Sequence, residues 1–294
     1  MPAIFDRTLN RRSFLTIAGA SAFLVGCRVL PQASAAQEFR VALLSDTHIP
    51  ADEGEAYRGF QPVANLKKIT SEVVGWKPEI VIINGDAARL DGKLADYEAL
   101  SGLLRPIADV APVCVSLGNH DDRANFGAVF KSNAGARQNV AGKNVMIIEH
   151  DVVRIIVLDS LMYVNKTAGQ LGKAQRGWLA ANLPKLADRP AALMVHHTLQ
   201  DGDGDLTDSA QLFEILRKNR HVKALFYGHS HVWALGEREG VKMINLPAVA
   251  YPFQEKDPIG WMEGRFTRGG VELTLRASGS NTAENGKKFQ VNWS

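Results

Sequence analysis

The stretch "VSLGNHDD", residues 115–122, begins as the end of an apolar run and becomes polar within a few residues. Buried polar side chains cost free energy unless they have partners, so a strand that ends in Asn119, His120, Asp121 and Asp122 needs a reason. Four other apolar runs also end in polar residues: "FRVALLSD" (39–46), "PEIVIINGD" (78–86), "PAALMVHH" (190–197) and "VKALFYGHSH" (222–231). The sequence therefore predicts five buried strands with polar carboxyl ends.

Helical patterns lie between these strands. They cover residues 63–76, 94–107, 174–186 and 207–219, the last with Thr207 or Asp208 as a possible cap. Strand and helix in alternation predict parallel pairing with right-handed crossovers. The run "VMIIEHDVVRIIVLDS" instead predicts a hairpin that turns near His150 and Asp151, and residues 241–253 and 270–278 add strands without helices. We expect an α/β fold with a mixed sheet.

The polar strand ends predict a common site. Ligands of such sheets bind outside the carboxyl ends of the strands. That edge would carry a set of oxygen and imidazole donors: Asp46, His48, Asp86, Asn119, His120, His196, His229 and His231. Such donors without thiolate favour metals of the Mn, Fe, Zn or Co class. A metal pair needs a bridging carboxylate, and Asp86, which follows Gly85 at a central strand end, is the natural bridge.

The blocks "SDTH", "NGD", "GNHD", "VHH" and "GHSH", in this order, resemble those of the calcineurin-like metallophosphoesterases, over residues from Val41 to about Pro252. The resemblance implies a single-domain α/β/β/α sandwich that binds two divalent or di/trivalent metal ions. It implies that one metal is held by Asp46, His48, Asp86 and His231, and the other by Asp86, Asn119, His196 and His229. A hydroxide that bridges both metals would attack the phosphate ester.

The leaving alkoxide of such a reaction needs a proton. His120 follows the predicted ligand Asn119 and is a candidate general acid, and we expect Asp121 to orient its imidazole. His196 is predicted as the ligand and His197 as its supporting neighbour, although the reverse assignment stays open. Arg123 either contacts a phosphate oxygen or forms a surface ion pair.

Differences from the sequence motifs of related phosphoesterase families narrow the class of enzyme. Purple acid phosphatases would place a Tyr where Arg89 stands, protein Ser/Thr phosphatases would show Asp-Arg-Gly soon after Gly-Asp, and nucleotidase relatives carry a large extra domain. The segments "LDGKLADYEALSGLLRPI", "GNHDDR", "LDS" and "GWLAANL" resemble the small cyclic-nucleotide and glycerophosphodiester phosphodiesterases, although Thr198 replaces a common Pro. We expect a hydrolase of small phosphodiesters. An exported phosphomonoesterase and a non-catalytic metal-binding envelope protein are the alternatives.

The N-terminal segment predicts export. Arg11 and Arg12 precede the short apolar stretch 14–27, and Arg-Arg-x-Phe-Leu resembles a twin-arginine signal. Residues 1–35 would then be removed after the "ASA" that ends at Ala35, or Cys27 would be lipidated and anchor the protein to a membrane. Either route leaves the phosphoesterase domain, 36–294, exported to the periplasm or secreted. The alternative interpretation of the N-terminal segment is an amphipathic helix of the mature fold.

Charge and composition limit the partners. Residues 1–35 hold four Arg and one Asp, so of 34 basic and 31 acidic residues the remainder keeps 30 of each. A neutral chain gives no support for binding long nucleic acid, so a small organophosphate is the expected partner. Without Cys27, Cys114 is the remaining thiol and is predicted to be buried. The loop "DGDGD" (201–205) fails the pattern of a calcium-binding EF-hand, since Leu206 and Leu212 replace the required Gly and Glu. The oligomeric state is not predicted.

Overall fold

The computed structural model describes residues 38–293, so the predicted export signal lies outside the described residues. Within this range the chain forms thirteen strands, five α-helices and one 3-10 helix. In chain order they are β1 (Phe39–Leu44), α1 (Pro62–Trp76), β2 (Ile80–Ile83), α2 (Leu94–Ala108), β3 (Val113–Val115), α3 (Arg123–Val129), β4 (Ala136–Gln138), β5 (Val145–Glu149), β6 (Arg154–Val157), α4 (Gly172–Asn182), the 3-10 helix (Leu183–Leu186), β7 (Ala191–Met194), α5 (Ser209–Arg217), β8 (Val222–Tyr227), β9 (Ala234–Arg238), β10 (Val241–Asn245), β11 (Pro258–Thr267), β12 (Gly270–Ser280) and β13 (Lys288–Asn292).

The strands form two mixed sheets. The first has the order β13-β12-β11-β1-β2-β3, in which β1, β2 and β3 are parallel and β11 is antiparallel to β1. The second has the order β4-β5-β6-β7-β8-β10-β9, with parallel pairing from β6 to β10. The parallel strands β1, β2 and β3 lie side by side and end at the edge strand β3, and the parallel strands β7 and β8 lie inside the second sheet, so the carboxyl ends of these five strands can supply one site.

Three apolar clusters hold four layers together. The central cluster packs the two sheets against each other, with Val41 and Leu43 of the first sheet and Val157 of the second. The alternate residues of β1, among them Leu44, face the cluster that also contains side chains of α1 and α2. A third cluster packs α4 and α5 on the second sheet. The predicted α/β/β/α sandwich with mixed sheets is confirmed.

Most of the predicted elements are confirmed, with corrections at their ends. The hairpin of β5 and β6 forms as predicted. The predicted helix at 174–186 is divided into α4 and the 3-10 helix, where Pro184 removes a backbone donor. Asp208, one of the two predicted caps, is the N-cap residue of α5, but its side chain forms no capping hydrogen bond; its carboxylate accepts the N–H groups of Leu171 and Gly172 instead.

None of the helices within residues 38–293 has the length and apolar character that crossing a bilayer requires. Cys114 is a free thiol and is fully buried in the central cluster, as predicted. Burial raises the pKa of this thiol to about 12, so it is protonated and unreactive in the folded chain.

Candidate metal centre and active site

The carboxyl ends of β1, β2, β3, β7 and β8 place the predicted ligands at one edge of the two sheets. Asp and His side chains there form three overlapping groups, in each of which the ligand atoms lie within 4.8 Å of one another. The groups are Asp46, His48 and His231; His48, Asp86 and His120; and Asp86, His196 and His229. Residues that are up to 185 positions apart in the chain therefore share one small volume.

Two imidazoles face each other in a way that favours a positive charge between them. The Nδ1 atoms of His48 and His231 lie 3.1 and 2.5 Å from the carbonyl oxygens of Arg89 and Tyr251, which can only accept. In neutral rings both Nε2 atoms therefore carry lone pairs, and these two atoms are 3.2 Å apart. Two lone pairs at this distance repel each other unless a positive charge lies between or beside them.

The second group shows the same arrangement. His196 donates from Nδ1 to the Asn84 carbonyl at 2.9 Å, and its buried Nε2 has no hydrogen-bond partner within the described residues. This Nε2 lies 3.3 Å from Asp86 Oδ2, which is also 3.6 Å from His48 Nε2. A single carboxylate oxygen thus faces an imidazole of each group, which is the arrangement of a bridging ligand. The Oδ1 atom of Asn119 is buried and also lacks a partner.

The pKa values of the cluster follow from burial and from its carboxylates. Burial lowers the pKa of His48 to about 3 and that of His229 to about 4, so both rings are neutral, the form that binds metals. Burial also disfavours a charge on His196, but Asp86 and Asp46 overcome it and raise the pKa of His196 to about 10. The two carboxylates therefore attract a positive charge to this position, whether it is a proton or a divalent ion.

The backbone at these residues is strained. Five of the predicted ligands have φ in the left-handed region, which favours glycine: Asp46 (53°), His48 (42°), Asp86 (46°), His229 (68°) and His231 (56°). Such strain concentrates at functional sites, where the surrounding structure holds it. Sheet and loop hydrogen bonds hold it here, for example those from Asp46 N to the Gly85 carbonyl and from His48 N to the Asp86 carbonyl.

Close backbone approach explains a glycine in the opening stretch. A Cβ atom on Gly118 would lie 2.2 Å from Asp86 Oδ1 and 2.8 Å from His196 Cδ2. No other residue fits between the carboxylate and the imidazole. The turn after β3 therefore passes directly over the bridging side chain.

His120 lies at the mouth of the cluster and is only partly buried. Its backbone N–H donates to Asp86 Oδ1 at 2.9 Å, which fixes the residue against the bridging carboxylate. Its Nδ1 contacts the Leu90 carbonyl at 2.9 Å and Asn165 Oδ1 at 2.8 Å. The other ring nitrogen, Nε2, has no hydrogen bond within the described residues.

Comparison with known proteins agrees with this geometry. Residues 39–233 match the family model described as calcineurin-like phosphoesterase. The chain belongs to this family. The phosphoesterase is 30% identical to a "Probable cyclic nucleotide phosphodiesterase" of Vesicomyosocius okutanii, over 74% of this chain and 89% of the relative. It is 23% identical to a glycerophosphodiester phosphodiesterase of Enterobacter lignolyticus, over 74% of this chain and 80% of the relative.

The fold is also found among solved structures. A dimetal phosphatase of Danio rerio matches with a TM-score of 0.66 and 16% identity, over 87% of this chain and 99% of the other. The family, the fold and the Asp and His cluster together show a metal-dependent phosphoesterase.

The predicted role of Asp121 in the phosphoesterase is wrong. Its buried carboxylate contacts no imidazole; it accepts the backbone N–H groups of Ala87, Ala88 and Gly118 at 2.8–3.1 Å and the Tyr97 hydroxyl at 2.9 Å. The turn at residues 118–121, closed by a hydrogen bond from Asp121 N to the Gly118 carbonyl, directs the Asp121 carboxylate into the interior, whereas the His120 ring is only partly buried. Asp121 fixes the loop that carries Asp86. Burial, together with the charge of Asp86, raises the pKa of Asp121 to about 6.

The structure also shows the contacts of His197, Arg123 and the loop 201–205, which the sequence analysis singled out. His197 is buried beside His229, at 4.9 Å between ring centroids, and its Nδ1 lies 2.7 Å from Ser160 Oγ. Arg123 forms two hydrogen bonds of 2.8 Å with the buried Asp159. Of the two predicted roles, phosphate contact or surface ion pair, the structure shows an ion pair, and this pair is partly buried. The "DGDGD" loop approaches the centre at Gly204, where a Cβ atom would lie 3.4 Å from His229 Nε2.

The sequence analysis missed an aromatic rim beside the metal centre. Phe253 stacks on His231 with 4.4 Å between ring centroids, and 46% of its surface is exposed. The Arg58 guanidinium lies 5.2 Å from the Phe253 ring and 5.7 Å from the exposed Tyr57 ring. Within residues 38–293, Arg58 forms no ion pair. The segment "AYPF" (250–253) signalled a strand end, but nothing in its pattern placed it near the histidines.

Proposed function

We propose that this phosphoesterase hydrolyses small phosphodiesters with two divalent ions of the Mn, Fe, Zn or Co class. The observation that carries the proposal is the set of buried and half-buried Asp, Asn and His side chains that converge on two adjacent points, among which Asn119 Oδ1 and His196 Nε2 are buried without a hydrogen-bond partner in the described residues. Asp46, His48 and His231 surround one point, and Asn119, His196 and His229 the other. Asp86 faces both.

The residues of the chain have distinct tasks in this reaction. Bound divalent ions supply Lewis-acid stabilisation of the phosphoryl oxygens and activate water for attack at neutral pH. Asp86 and Asp46 neutralise that charge. His120 donates a proton to the leaving alkoxide as its bond to phosphorus breaks, which contributes about 10²–10⁴-fold to the rate for a poor leaving group.

The rim favours an organic group on the phosphate. Phe253 offers an exposed ring stacked on His231, and Tyr57 offers a second exposed ring that contacts Tyr251. The Arg58 guanidinium, which forms no ion pair within residues 38–293, lies 5.2 Å from the Phe253 ring and 5.7 Å from the Tyr57 ring. Exposed aromatic rings can stack on a flat organic substituent of the phosphate and bury its apolar area, and a neighbouring guanidinium can bind the face of such a ring. The relatives named for cyclic nucleotides and glycerophosphodiesters support a diester substrate.

Kinetics with two model esters test the proposal. The protein is loaded with Mn, Fe, Zn or Co, and turnover of bis-p-nitrophenyl phosphate and of p-nitrophenyl phosphate is measured with metal content. We expect higher kcat/KM for the diester and two ions per chain. The Asp86→Asn variant should lose metal and activity, whereas the matched Asp188→Asn variant, remote from the centre, should keep both. Preference for the monoester would identify a phosphatase, and no turnover with any metal would refute the proposal.

Rim variants test the substrate contact. We expect Phe253→Ala to raise KM for the aryl diester by about two- to tenfold, since ring contacts of this kind contribute about 0.5–1.5 kcal/mol beyond area burial. Leu235→Ala is the matched control, because Leu235 is 43% exposed on β9 and borders no ligand. Equal KM values for the two variants would exclude the rim from substrate binding.

We also propose that the phosphoesterase is exported. Arg11 and Arg12 before the apolar stretch 14–27 support a twin-arginine signal. Fractionation of bacterial cells that produce the full chain should find it in the periplasm, and replacement of both arginines by Lys should retain it in the cytoplasm. Membrane attachment that Cys27→Ala abolishes would favour lipidation over cleavage near Ala35.

A further inference from the structure

Asn165 lies in the loop between β6 and α4 and contacts the mouth of the metal centre. Its φ of 61° is in the left-handed region, which Asn tolerates better than most residues. Its backbone N–H donates to the Asn119 carbonyl at 2.8 Å, and its side-chain Oδ1 lies 2.8 Å from His120 Nδ1. The residue therefore contacts a predicted ligand and the predicted acid together.

Asp91 fixes the direction of the Asn165 amide. The Asn165 Nδ2 group donates to Asp91 Oδ1 at 2.6 Å, and an ionised carboxylate can only accept. The amide oxygen must then point the other way, toward His120. The second Asp91 oxygen lies 3.7 Å from Lys93 Nζ.

The proton of His120 is placed by these contacts. Both groups near its Nδ1, the Asn165 amide oxygen and the Leu90 carbonyl oxygen, are acceptors, so Nδ1 must carry a proton. In the neutral ring Nε2 then has the lone pair, and in the charged ring Nε2 has the proton that can be transferred. Asp121 cannot perform this task because its oxygens accept from three backbone N–H groups and from Tyr97.

We propose that Asp91 and Asn165 are positioning residues that hold the proton of His120 on Nδ1 and direct its Nε2 to the leaving oxygen. The inference rests on the proposed function. As the bond from phosphorus to the leaving oxygen breaks, that oxygen receives the Nε2 proton, and the Nδ1 proton stays bound to Asn165 and Leu90. The imidazole ends neutral, in the tautomer that the two acceptors favour.

A comparison of leaving groups separates positioning from a structural role. Asn165→Gly removes the side chain and keeps the left-handed backbone and the N–H to Asn119. We expect kcat for glycerophosphocholine, which has an alkoxide leaving group, to fall about tenfold. The kcat for bis-p-nitrophenyl phosphate, whose nitrophenolate needs no proton, should change less than about twofold. KM and bound metal should stay the same for both esters.

An exchange of side chains provides a rescue. Asn165→Asp alone places two carboxylates together and should slow the alkyl ester. Asp91→Asn combined with Asn165→Asp restores a donor at position 91 and an acceptor toward His120, so most of the lost kcat should return. An equal loss of kcat for both esters, or loss of metal in Asn165→Gly, would show a structural role and overturn the inference. An unchanged kcat for the alkyl ester in Asn165→Gly would also overturn it, as would a double variant no faster than Asn165→Asp.

The tautomer itself is a readout that does not depend on turnover. In the zinc-loaded protein, ¹⁵N NMR of the neutral His120 ring should show the proton on Nδ1, and Asn165→Gly should shift it toward Nε2. A proton on Nε2 in the unsubstituted protein would refute the inference even if both esters are hydrolysed. If neither ester is hydrolysed but the tautomer is on Nδ1 and moves in the variant, the proposed function fails while the positioning geometry stands.

Discussion

Gly118→Ala should disable the phosphoesterase with a single methyl group. The added Cβ would lie 2.2 Å from Asp86 Oδ1, 2.5 Å from Asp86 N and 2.8 Å from His196 Cδ2. Ordinary carbon–oxygen contacts begin near ~3.3 Å, so the Asp86 carboxylate and the turn after β3 must separate by about 1 Å. The turn cannot simply move away, because Gly118 N donates to the buried Asp121 carboxylate at 2.8 Å.

Two magnitudes follow from this clash. Overpacking of a filled site costs about 1–3 kcal/mol of unfolding free energy. A displacement of about 1 Å at a reacting centre lowers kcat/KM by about 10²-fold. The loss of activity should therefore greatly exceed the loss of folded protein.

Urea unfolding, metal content and kcat/KM for bis-p-nitrophenyl phosphate measure the three effects. Gly102→Ala is the matched control, because Gly102 is exposed in α2 with no heavy atom within 4 Å of an added Cβ. That variant should gain about 0.5–1 kcal/mol of stability and keep full activity. A Gly118→Ala protein with two bound ions and kcat/KM within threefold of the original would refute the described packing of Gly118 against Asp86.

Further predictions concern metal removal, pH and the buried thiol. Chelation should lower Tm, since a ligand at 100 times its Kd stabilises the folded state by about 2.7 kcal/mol; an unchanged Tm in a chelator titration would contradict a pre-formed metal centre. Hydrogen bonds from Arg189 and Arg154 lower the pKa of Asp188 from 3.8 to about 2. The ionised Asp188 therefore stabilises the folded state above about pH 4, and this stabilisation is lost as the pH falls toward 2. The difference in unfolding free energy between the original protein and Asp188→Asn should shrink over that range in acid titrations. Cys114 should react with a thiol reagent at pH 8 only at the rate of unfolding, and fast labelling without denaturant would contradict its burial.

The sheets and the clustering of the Asp and His side chains could be predicted because both leave local patterns. Apolar runs such as 80–83 form strands, and the polar residues that follow them mark the ligand-binding edge. The short elements α3 and β4 were not predicted. Seven residues of helix and three of strand are too few for a periodic signal, and the N-cap Asp122 that starts α3 was interpreted as part of the ligand block.

Contacts that depend on loop paths could not be predicted. Asn165 contacts His120 from 45 positions away, and Phe253 reaches His231 from 22 positions away. Neither lies in a motif, because a loop amide or an exposed ring acquires its role only when the two sheets come together. Asp121 shows the converse: adjacency to His120 suggested a contact, and the turn directs the two side chains to opposite sides.

The left-handed backbone at five ligands bears on how the protein selects among cations by size. Each such residue costs about 1–2 kcal/mol, so roughly 5–10 kcal/mol of folding free energy is spent on setting donor positions before any ion arrives. Donors held in this way cannot spread to follow a large ion. Calcium, which needs six to eight oxygens at longer distances, should therefore be excluded by geometry, whereas small transition ions enter without rearrangement of the loops.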